Sequence, residues 1–454
     1  MSTVRSAQSI TDVLRTLLSD RRTLVAAWLV IGAECIAALY LFRPWAIGDS
    51  FHYLLLAKNL ADGHYGSVTA AGFEPDVLRP PGYPIILWFL LEFLGLPRGA
   101  AVAVQLVGIC GAIYAIQRFL VSRGVNPTAF IVIAAVYPFP VLYGANLLAE
   151  SWAIVATTMA GLLVVRGNAR AYIWSGAAAG IAALMRSDML LLPLVLSAVI
   201  VIDQFRQHGW RAAGLGKAFL PIVAAGLVLL PYTVWNYAHF HRAAPLPAAG
   251  AVGTSLYLST WQRELSWDDV QTIIRGGSTP HIEQIGLGPA VRQINHSIGA
   301  PERILAFDPW AYPTNHLRIA AADEFRRAAI SRIAADPGRY VEHVLHNIWA
   351  LWVTKRYDRL PTIAAIALAA SSAAIFILGL AGMVMSVVRW RASSIPWLLV
   401  PVTLYPAAIH LWLHTEARYT AATRPLLMMF AGAFIAWLLS RERTEGAHNM
   451  AAGS

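Results

Sequence analysis

Residues 23–42 read TLVAAWLVIGAECIAALYLF, an apolar stretch in which Glu34 is the single charged residue. Twenty residues of α-helix rise about 30 Å, which matches the hydrocarbon core of a bilayer. A polar segment, residues 1–22, precedes the stretch, and no small-residue cleavage motif is evident. The sequence therefore predicts a retained membrane span and not a cleaved signal peptide.

Further apolar stretches provide most or all of a membrane helix each. They cover residues 99–119, 128–145, 151–165, 171–185, 189–203, 218–236, 361–388, 395–412 and 424–440. The chain of 454 residues is 57% hydrophobic and 13% charged, whereas a soluble domain carries about 25% charged residues. The composition predicts an all-α polytopic membrane protein with about ten transmembrane helices.

Basic residues mark every second connection between these stretches and so predict the orientation of the chain. They are Arg5, Arg15, Arg21 and Arg22, then Arg118 and Arg123, Arg166 and Arg170, Arg206, Arg211 and Lys217, Arg389 and Arg391, and Arg441 and Arg443. Because Lys and Arg accumulate in cytoplasmic loops, both termini are expected in the cytoplasm. The formal net charge of +10 is thereby interpreted as a topology signal, and nucleic acid is not expected as a partner.

The same pattern divides the chain into four parts. Residues 1–236 are expected to form a transmembrane module that includes a first external loop at 43–84, and the polar stretch 237–345 an external, periplasmic subdomain. Residues 346–440 hold the C-terminal transmembrane helices. Residues 441–454 are expected to be a disordered cytoplasmic tail.

Two shorter features refine this division. The apolar piece at 85–96 is interpreted as a half-span, because a complete crossing would break the alternation of basic loops. Asp336-Pro337-Gly338 predicts a break between two amphipathic helices over 323–351.

The first external loop has a helical pattern of its own. Asp49, Tyr53, Ala57, Leu60 and Gly63 follow a mostly i, i+4 spacing, which lines one face of a short helix that ends at the glycine. Such a helix is expected to lie along the membrane surface.

Several short motifs, spread over nearly the whole chain, carry a family resemblance. They are the Asp49 pattern, Arg79-Pro80-Pro81-Gly82-Tyr83-Pro84, Leu147-Leu148-Ala149-Glu150, Gly180 through Leu184-Met185-Arg186, Trp235-Asn236-Tyr237, and Glu416-Ala417-Arg418-Tyr419 followed by Pro425. Together they resemble the GT-C superfamily and, within it, the bacterial glycosyltransferase family 39 group. That group includes protein O-mannosyltransferases and the lipid A aminoarabinose transferase. Trp235 departs from the pattern, because arginine is expected before Asn236.

The resemblance implies a fold and an activity. The fold would be a GT-C-like bundle with a small external subdomain. The activity would be inverting transfer of a monosaccharide, as a hexosyl- or pentosyltransferase, from a polyprenyl-phosphate donor to the hydroxyl of a glycan, lipid or protein acceptor. We expect the protein in the bacterial inner membrane, with its active site facing the periplasm or exterior.

Asp49 matches the acidic residue that the resembling enzymes use as the base for the acceptor hydroxyl, a step that a nearby carboxylate can perform. The alternative role is a helix N-cap, which aspartate commonly provides.

Arg79, Arg186 and Arg418 each lie at an external membrane boundary. We interpret them as a clamp for the donor phosphate, because guanidinium groups bind phosphate oxygens in pairs. Each alone has a structural alternative, in which the side chain reaches to the interface. Asp188 lies two residues from Arg186 and is expected to compete for it.

The remaining candidates are expected to shape the substrate pocket. They are Tyr53, Tyr83, Glu150, Asn236, Glu416 and Tyr419. For the tyrosines the alternative is an aromatic belt at the membrane interface, and for Glu150 a favourable position at a helix N-terminus.

No cofactor is expected to be required. His410, His414 and Glu416 have a spacing that a divalent metal can use, but interfacial hydrogen bonding is favoured over metal binding. The sequence has no glycine-rich nucleotide-binding motif, so the donor is expected to enter from the bilayer.

Two rival functions stay open at this level. Charged residues within membrane helices also occur in a transporter or flippase of a lipid-linked or small solute, although the sequence shows no internal repeat. The second rival is a non-catalytic protein of envelope-glycan assembly with a GT-C-like fold.

Overall fold

The computed structural model describes residues 12–69, 72–208, 215–250, 252–274, 277–301, 311–353, 362–389, 393 and 395–451. Arg5, Arg211 and Arg391 of the charge pattern and residues 452–454 of the predicted tail lie outside this part. The helices run, in chain order, as α1 Arg21–Leu41, α2 Ser50–Ala61, α3 Gly82–Leu87, α4 Arg98–Ser122, α5 Thr128–Val136, α6 Phe139–Gly144, α7 Glu150–Val164, α8 Ala169–Met185, α9 Leu192–His208, α10 Leu215–Ala218, α11 Leu220–Phe240, α12 Val252–Ser259, α13 Trp267–Ile274, α14 Pro280–Gln284, α15 Leu287–Ser297, α16 Asn315–Ala335, α17 Pro337–Trp352, α18 Thr362–Val388, α19 Leu399–His410 and α20 Arg424–Ala451.

The predicted all-α membrane architecture is confirmed. In the described part of the chain, six helical segments are long and apolar enough to cross a membrane: Arg21–Leu41, Arg98–Ser122, Ser187–Gln207, Gly216–Phe240, Thr362–Val388 and Ala417–Ser440. Shorter apolar helices cover Gly82–Phe93, Glu150–Val164 and Leu399–His410. A helix of twelve residues such as Gly82–Phe93 rises about 18 Å, which is less than the hydrocarbon core.

The predicted span at 128–145 is divided into two helices. Helix α5 ends at Val136 and α6 begins at Phe139. Pro138 lies between them, and a proline disrupts a continuous helix because it has no backbone N–H and its ring crowds the preceding turn. Sequence hydropathy does not register this break, because both halves are equally apolar.

A small-residue motif brings two membrane helices close together. Gly176 and Gly180 form a Gly-x-x-x-Gly pattern on α8, which packs against α11. A Cβ atom added at Gly176 would lie 2.3 Å from the carbonyl oxygen of Pro221, so the contact requires glycine. Small residues at this spacing allow the backbones of membrane helices to approach. The contact fixes α8, whose C-terminal end leads to Arg186.

The first external loop consists of a short helix, a hairpin and a second short helix. Helix α2 buries Tyr53, Leu56 and Ala57 and exposes Phe51 and Leu55, a distribution that suits a helix at a membrane surface. Strands β1 Gly66–Thr69 and β2 Gly72–Pro75 pair antiparallel after it.

Helix α3 then packs against the end of α8. A Cβ atom added at Gly82 would lie 2.6 Å from the carbonyl oxygen of Leu184. The loop that carries Asp49 and Arg79 is thereby held beside Arg186.

The region between α11 and α18 has a hydrophobic core separate from that of the membrane helices. Trp261, Leu287, Tyr312 and Phe325 are among its buried members. Helices α16 and α17 meet at Asp336, whose carboxylate accepts from the backbone N–H of Arg339. Apolar residues on successive helices therefore bury one another away from the membrane bundle.

Helix α20 runs from Arg424 to Ala451, so its last turns fall within residues 441–454, whose disorder stays a prediction. Arg441, Glu442 and Arg443 are residues of high helix propensity, and they extend a helix already formed by the apolar residues before them.

Candidate active site

The site begins at Asp49, immediately before α2. Its side chain makes no capping hydrogen bond to the helix among the described residues. Instead the Asp49 carboxylate accepts from Nη2 of Arg79 at 2.7 Å, and Nη1 of Arg418 lies 3.6 Å from its other oxygen. Asp49 is therefore an ion-pair partner of two arginines and not a side-chain cap.

These arginines determine the ionisation of Asp49. Burial raises the pKa of the Asp49 carboxyl. The positive charges of Arg79, Arg418 and Arg186 together lower it by more than burial raises it, so that the resulting pKa is about 2. A carboxylate beside cations is stabilised in its charged form. Asp49 is thus ionised at neutral pH.

Glu416 lies on the other side of Arg418. Its carboxylate lies 2.7 Å from Nε of Arg418 as an ion pair, and Nε2 of His414 lies 3.4 Å away. Burial raises the pKa of Glu416, but Arg418 and His414 lower it to about 2. The 3₁₀ turn Ala417–Thr423, which carries Arg418, therefore begins in a fixed ion pair.

Arg186 forms the second half of the cluster. Its guanidinium lies 2.5 Å from Glu150 and 2.9 Å from Asp188. Nε2 of His410 lies 2.7 Å from the same Asp188 carboxylate. Arg186 thus binds two carboxylates, and Asp188 competes for it as the sequence suggested.

Three tyrosines pack against this cluster, but in different ways. Arg79 lies over the ring of Tyr53, with Cζ 5.5 Å from the ring centroid. The Tyr419 ring stacks on His410 at 4.2 Å, and the Cζ atoms of Arg186 and Arg418 lie 5.6 and 5.4 Å from its centroid. These contacts orient the guanidinium groups through cation–π attraction.

Tyr83 has a different position from the one a pocket residue requires. It is fully buried, and its hydroxyl donates to Oε1 of Gln105 at 2.6 Å. Its ring contacts Tyr53 edge-on at 5.0 Å. Tyr83 therefore supports Tyr53 from the core side.

Asn236 is also a core residue. It is fully buried in α11, and its amide donates to the carbonyl oxygens of Ala244 and Leu246. Both of these hydrogen bonds hold the chain that follows α11, so the amide of Asn236 has a structural role there. The neighbouring Trp235 packs against Tyr65 at 5.1 Å.

The histidines considered for a metal take separate carboxylates. His410 pairs with Asp188, whereas His414 pairs with Glu416. Within the described part of the chain, no group of three or more His, Cys, Asp or Glu side chains is arranged to hold a metal ion.

The sequence did not indicate the residues that hold Arg79 in place. Oδ2 of Asp76 accepts from the backbone N–H groups of Leu78 and Arg79, at 3.0 and 2.7 Å. The hydroxyls of Tyr65 and Tyr232 donate to the Arg79 carbonyl oxygen, at 2.7 and 3.3 Å. Asp76 lies three residues before Arg79 in the sequence. An aspartate at this spacing can accept from the following backbone N–H groups and so indicates a turn.

The site as a whole combines carboxylates with fixed cations. Its described part contains three guanidinium groups and four carboxylates, which come from the first external loop, the ends of α7 and α8, and the segment after α19. The members are Arg79, Arg186, Arg418, Asp49, Glu150, Asp188 and Glu416. In such a cluster the guanidinium groups can stabilise an anionic leaving group, and a carboxylate can accept the proton of an acceptor hydroxyl.

No protein-family model matches this chain, and no curated protein matches it significantly. Solved structures do. The oligosaccharyltransferase of Archaeoglobus fulgidus in its apo form aligns with a TM-score of 0.50 at 14% identity, over 94% of this chain and 52% of that chain. This chain therefore spans about half the length of the archaeal protein.

Two further structures carry ligands. The archaeal oligosaccharyltransferase AglB from Archaeoglobus fulgidus, in complex with an inhibitory peptide and a dolichol-phosphate, aligns with a TM-score of 0.48 at 12% identity, over 94% of this chain and 52% of that chain. ArnT from Cupriavidus metallidurans bound to undecaprenyl phosphate aligns with a TM-score of 0.38 at 15% identity, over 93% and 79%. At these identities the likeness concerns the fold alone: this chain has a multi-pass helical membrane fold similar to that of the Archaeoglobus fulgidus oligosaccharyltransferase.

Proposed function

We propose that this protein transfers a monosaccharide from a polyprenyl-phosphate donor to the hydroxyl of an external acceptor, by inverting displacement. The observation that carries the proposal is the position of Asp49, whose carboxylate lies between the guanidinium groups of Arg79 and Arg418. The displacement needs a base for the acceptor hydroxyl and cations for the departing phosphate, and this part of the site contains both.

The proposed transfer forms one bond at the anomeric carbon and breaks another. The acceptor oxygen attacks the anomeric carbon of the donor sugar and forms the new glycosidic bond. The bond between that carbon and the phosphate oxygen breaks, and its electron pair leaves with the polyprenyl phosphate. Asp49 takes the acceptor proton. Arg79 and Arg418 stabilise the negative charge that develops on the phosphate.

A low pKa makes Asp49 a weak base while both arginines pair with it. In the proposed mechanism the donor phosphate draws part of the guanidinium charge away from Asp49. Each guanidinium has five N–H donors, so it binds phosphate and carboxylate together. Donor binding would thereby raise the basicity of Asp49 at the moment when a base is needed.

Arg186 has a supporting part in this proposal. It binds Glu150 and Asp188 and contributes positive charge near Asp49. Arg186 and its two carboxylates would line a second side of the donor site. The Tyr419 ring contacts the guanidinium groups of both Arg186 and Arg418. We further propose that the chain lies in a bacterial inner membrane with this cluster on the periplasmic side, as the alternation of basic loops indicates.

The test uses purified full-length protein in detergent with a panel of polyprenyl-phosphate sugars. The assay measures release of polyprenyl phosphate and the melting temperature at each donor concentration. A true donor is expected to raise the melting temperature by mass action even without acceptor, and to be consumed when an acceptor is added.

Detergent also separates the rival functions. Transport needs two compartments, whereas transfer does not, so donor consumption in micelles argues against a transporter or flippase. Donor binding without consumption, with any acceptor extract, would instead identify a non-catalytic assembly protein.

A further inference from the structure

A cavity of about 160 Å³ lies in the external subdomain, between the end of α12 and the bend that joins α16 to α17. It has room for about five groups the size of a water molecule, at about 30 Å³ each. Arg263, Arg332 and Arg339 line it, together with Tyr340 and His343. Among the described residues, none of these belongs to the ion cluster around Asp49.

His343 contributes an uncharged ring to the lining of this cavity. It is buried, and its Nε2 lies 2.8 Å from Nδ2 of Asn347, an amide nitrogen that only donates. Burial, together with the nearby His346, His414 and Arg263, lowers the pKa of His343 to about 4. The ring is therefore neutral at pH 7 with Nε2 as acceptor, so its proton lies on Nδ1. Within the described residues this buried Nδ1 has no hydrogen-bond partner.

The three arginines are held by exchangeable partners. Arg263 lies 2.5 Å from Glu342, and both Arg332 and Arg339 pair with Glu264. The side chains of Arg263 and Glu342 are 47% and 67% exposed. An ion pair this exposed contributes about 0–1 kcal/mol, so an entering oxyanion that binds Arg263 can replace Glu342.

The cavity adjoins the segment that leads to the active site. The hydroxyl of Tyr340 donates to the carbonyl oxygen of Trp412, and Gln262 donates to Oγ1 of Thr415 at 3.0 Å. Trp412 and Glu416 are four residues apart, at most about 14 Å of extended chain. One short segment, from Trp412 to Glu416, therefore contacts the cavity lining at one end and the Glu416–Arg418 pair at the other.

We propose that this cavity is a subsite for an oxyanion, a phosphate or carboxylate group, on the acceptor substrate. Its identity as an acceptor subsite rests on the function proposed above, whereas the oxyanion binding does not. The guanidinium groups of Arg263, Arg332 and Arg339 line one cavity beside the ring of His343, and a ligand that satisfies three such groups is rich in acceptor oxygens.

The test titrates inorganic phosphate into the full-length protein in detergent, at constant ionic strength, and follows the melting temperature. Phosphate is expected to stabilise the native protein and an Arg79→Met variant alike. In Arg339→Gln and in His343→Phe, the phosphate concentration for half of the shift should rise about tenfold or more. Arg327→Gln is the matched control, because Arg327 is an exposed arginine on α16 outside the cavity lining.

Three results would overturn the subsite. They are an unchanged shift in Arg339→Gln and His343→Phe, a shift lost in Arg79→Met alone, and no shift in the native protein. A further arm identifies the source of the oxyanion. The phosphate-induced shift in melting temperature is expected to be the same in nanodiscs of phosphatidylglycerol and of phosphatidylcholine. Loss of the shift in phosphatidylglycerol would assign the cavity to bilayer headgroups instead of an acceptor.

The outcome is independent of transfer activity. If the cavity binds phosphate as described but no donor in the panel is consumed, the oxyanion site is retained and the proposed transferase function fails. If donors are consumed, Arg339→Gln is expected to leave the release of polyprenyl phosphate in the absence of acceptor unchanged. The same variant is expected to raise the KM of an anionic acceptor about tenfold. An unchanged acceptor KM would reject the acceptor assignment.

Discussion

Nη2 of Arg79 donates to Oδ1 of Asp49 at 2.7 Å, across thirty residues of chain that contain a helix and a hairpin. The pair joins the two ends of the first external loop. It also places a carboxylate and a guanidinium at one point, where Arg418 arrives from the far end of the sequence. The predictions below start from this relationship.

Asp49→Asn is expected to lower transfer about 100-fold or more, because the amide cannot accept the acceptor proton. The melting temperature should also fall at neutral pH, because the folded protein stabilises the charged carboxylate and the amide has no charge to stabilise. Asp62→Asn, the same substitution at an exposed position at the end of α2, is the control. Equal activities of the two variants would remove Asp49 from the mechanism.

The low pKa of Asp49 predicts a pH dependence of stability. Its pKa is about 2 in the folded donor-free protein and 3.8 for the unperturbed group. A lowered folded pKa contributes stability above the unfolded value, and this contribution is lost as the pH falls through the folded value.

The measurement compares melting temperatures of the native protein and Asp49→Asn. Their difference should be constant from about pH 5 to pH 8 and should shrink between about pH 4 and pH 2. A difference that changes around pH 6 would show that Asp49 titrates near neutrality.

Asp76→Ala should misplace Arg79 without touching its side chain. The substitution removes the acceptor of the backbone N–H groups of Leu78 and Arg79, and each such loss costs about 1–3 kcal/mol when the group is buried. We expect a lower melting temperature and a higher donor KM. Asp62→Ala serves as the comparison, and an unchanged donor KM in Asp76→Ala would contradict this positioning.

Gly176→Ala should destabilise the membrane bundle, because its Cβ would lie 2.3 Å from the Pro221 carbonyl oxygen. Overpacking of this kind costs about 1–3 kcal/mol. Gly111→Ala, in α4, is the matched control, since a Cβ there meets nothing within 4 Å among the described residues. A thermal melt of both variants in the same detergent decides the question, and equal melting temperatures would refute the close contact.

Transfer is expected to persist in EDTA, because the proposed mechanism stabilises the leaving phosphate with Arg79 and Arg418. The rate should be the same after dialysis against EDTA and after addition of Mg²⁺ or Mn²⁺. Loss of activity in EDTA with recovery on adding metal would show that a cation takes part. Arg79→Met should lower the rate in all of these conditions, whereas Arg98→Met, an exposed arginine, should not.

The membrane helices and several site residues were predictable for local reasons. Hydropathy over about twenty residues predicts a span wherever it occurs, and the stretch at 23–42 became α1 without help from distant residues. Arg79, Glu150, Arg186, Glu416 and Arg418 were singled out because each lies in a short family-like motif at a predicted membrane boundary. The structure brings them together with Asp49.

The errors have a physical pattern too. Tyr83 and Asn236 were expected in the pocket, yet one donates to Gln105 and the other to the carbonyls of Ala244 and Leu246. Asp188, Asp76 and His410 were not assigned to the site, although each contacts or supports one of its arginines. The direction in which a polar side chain points depends on which helix packs beside it, and that neighbour is distant in sequence.

The sequence by itself determined that this chain is a multi-pass helical membrane protein with acidic residues and arginines at the ends of its apolar stretches, because apolar run length and charge placement act locally. Tertiary structure alone decided which carboxylate each arginine binds. Asp49 meets Arg79 and Arg418, whereas Arg186 meets Glu150 and Asp188. Ion pairing depends on distances of a few ångströms between side chains, and only the packing of the helices sets those distances.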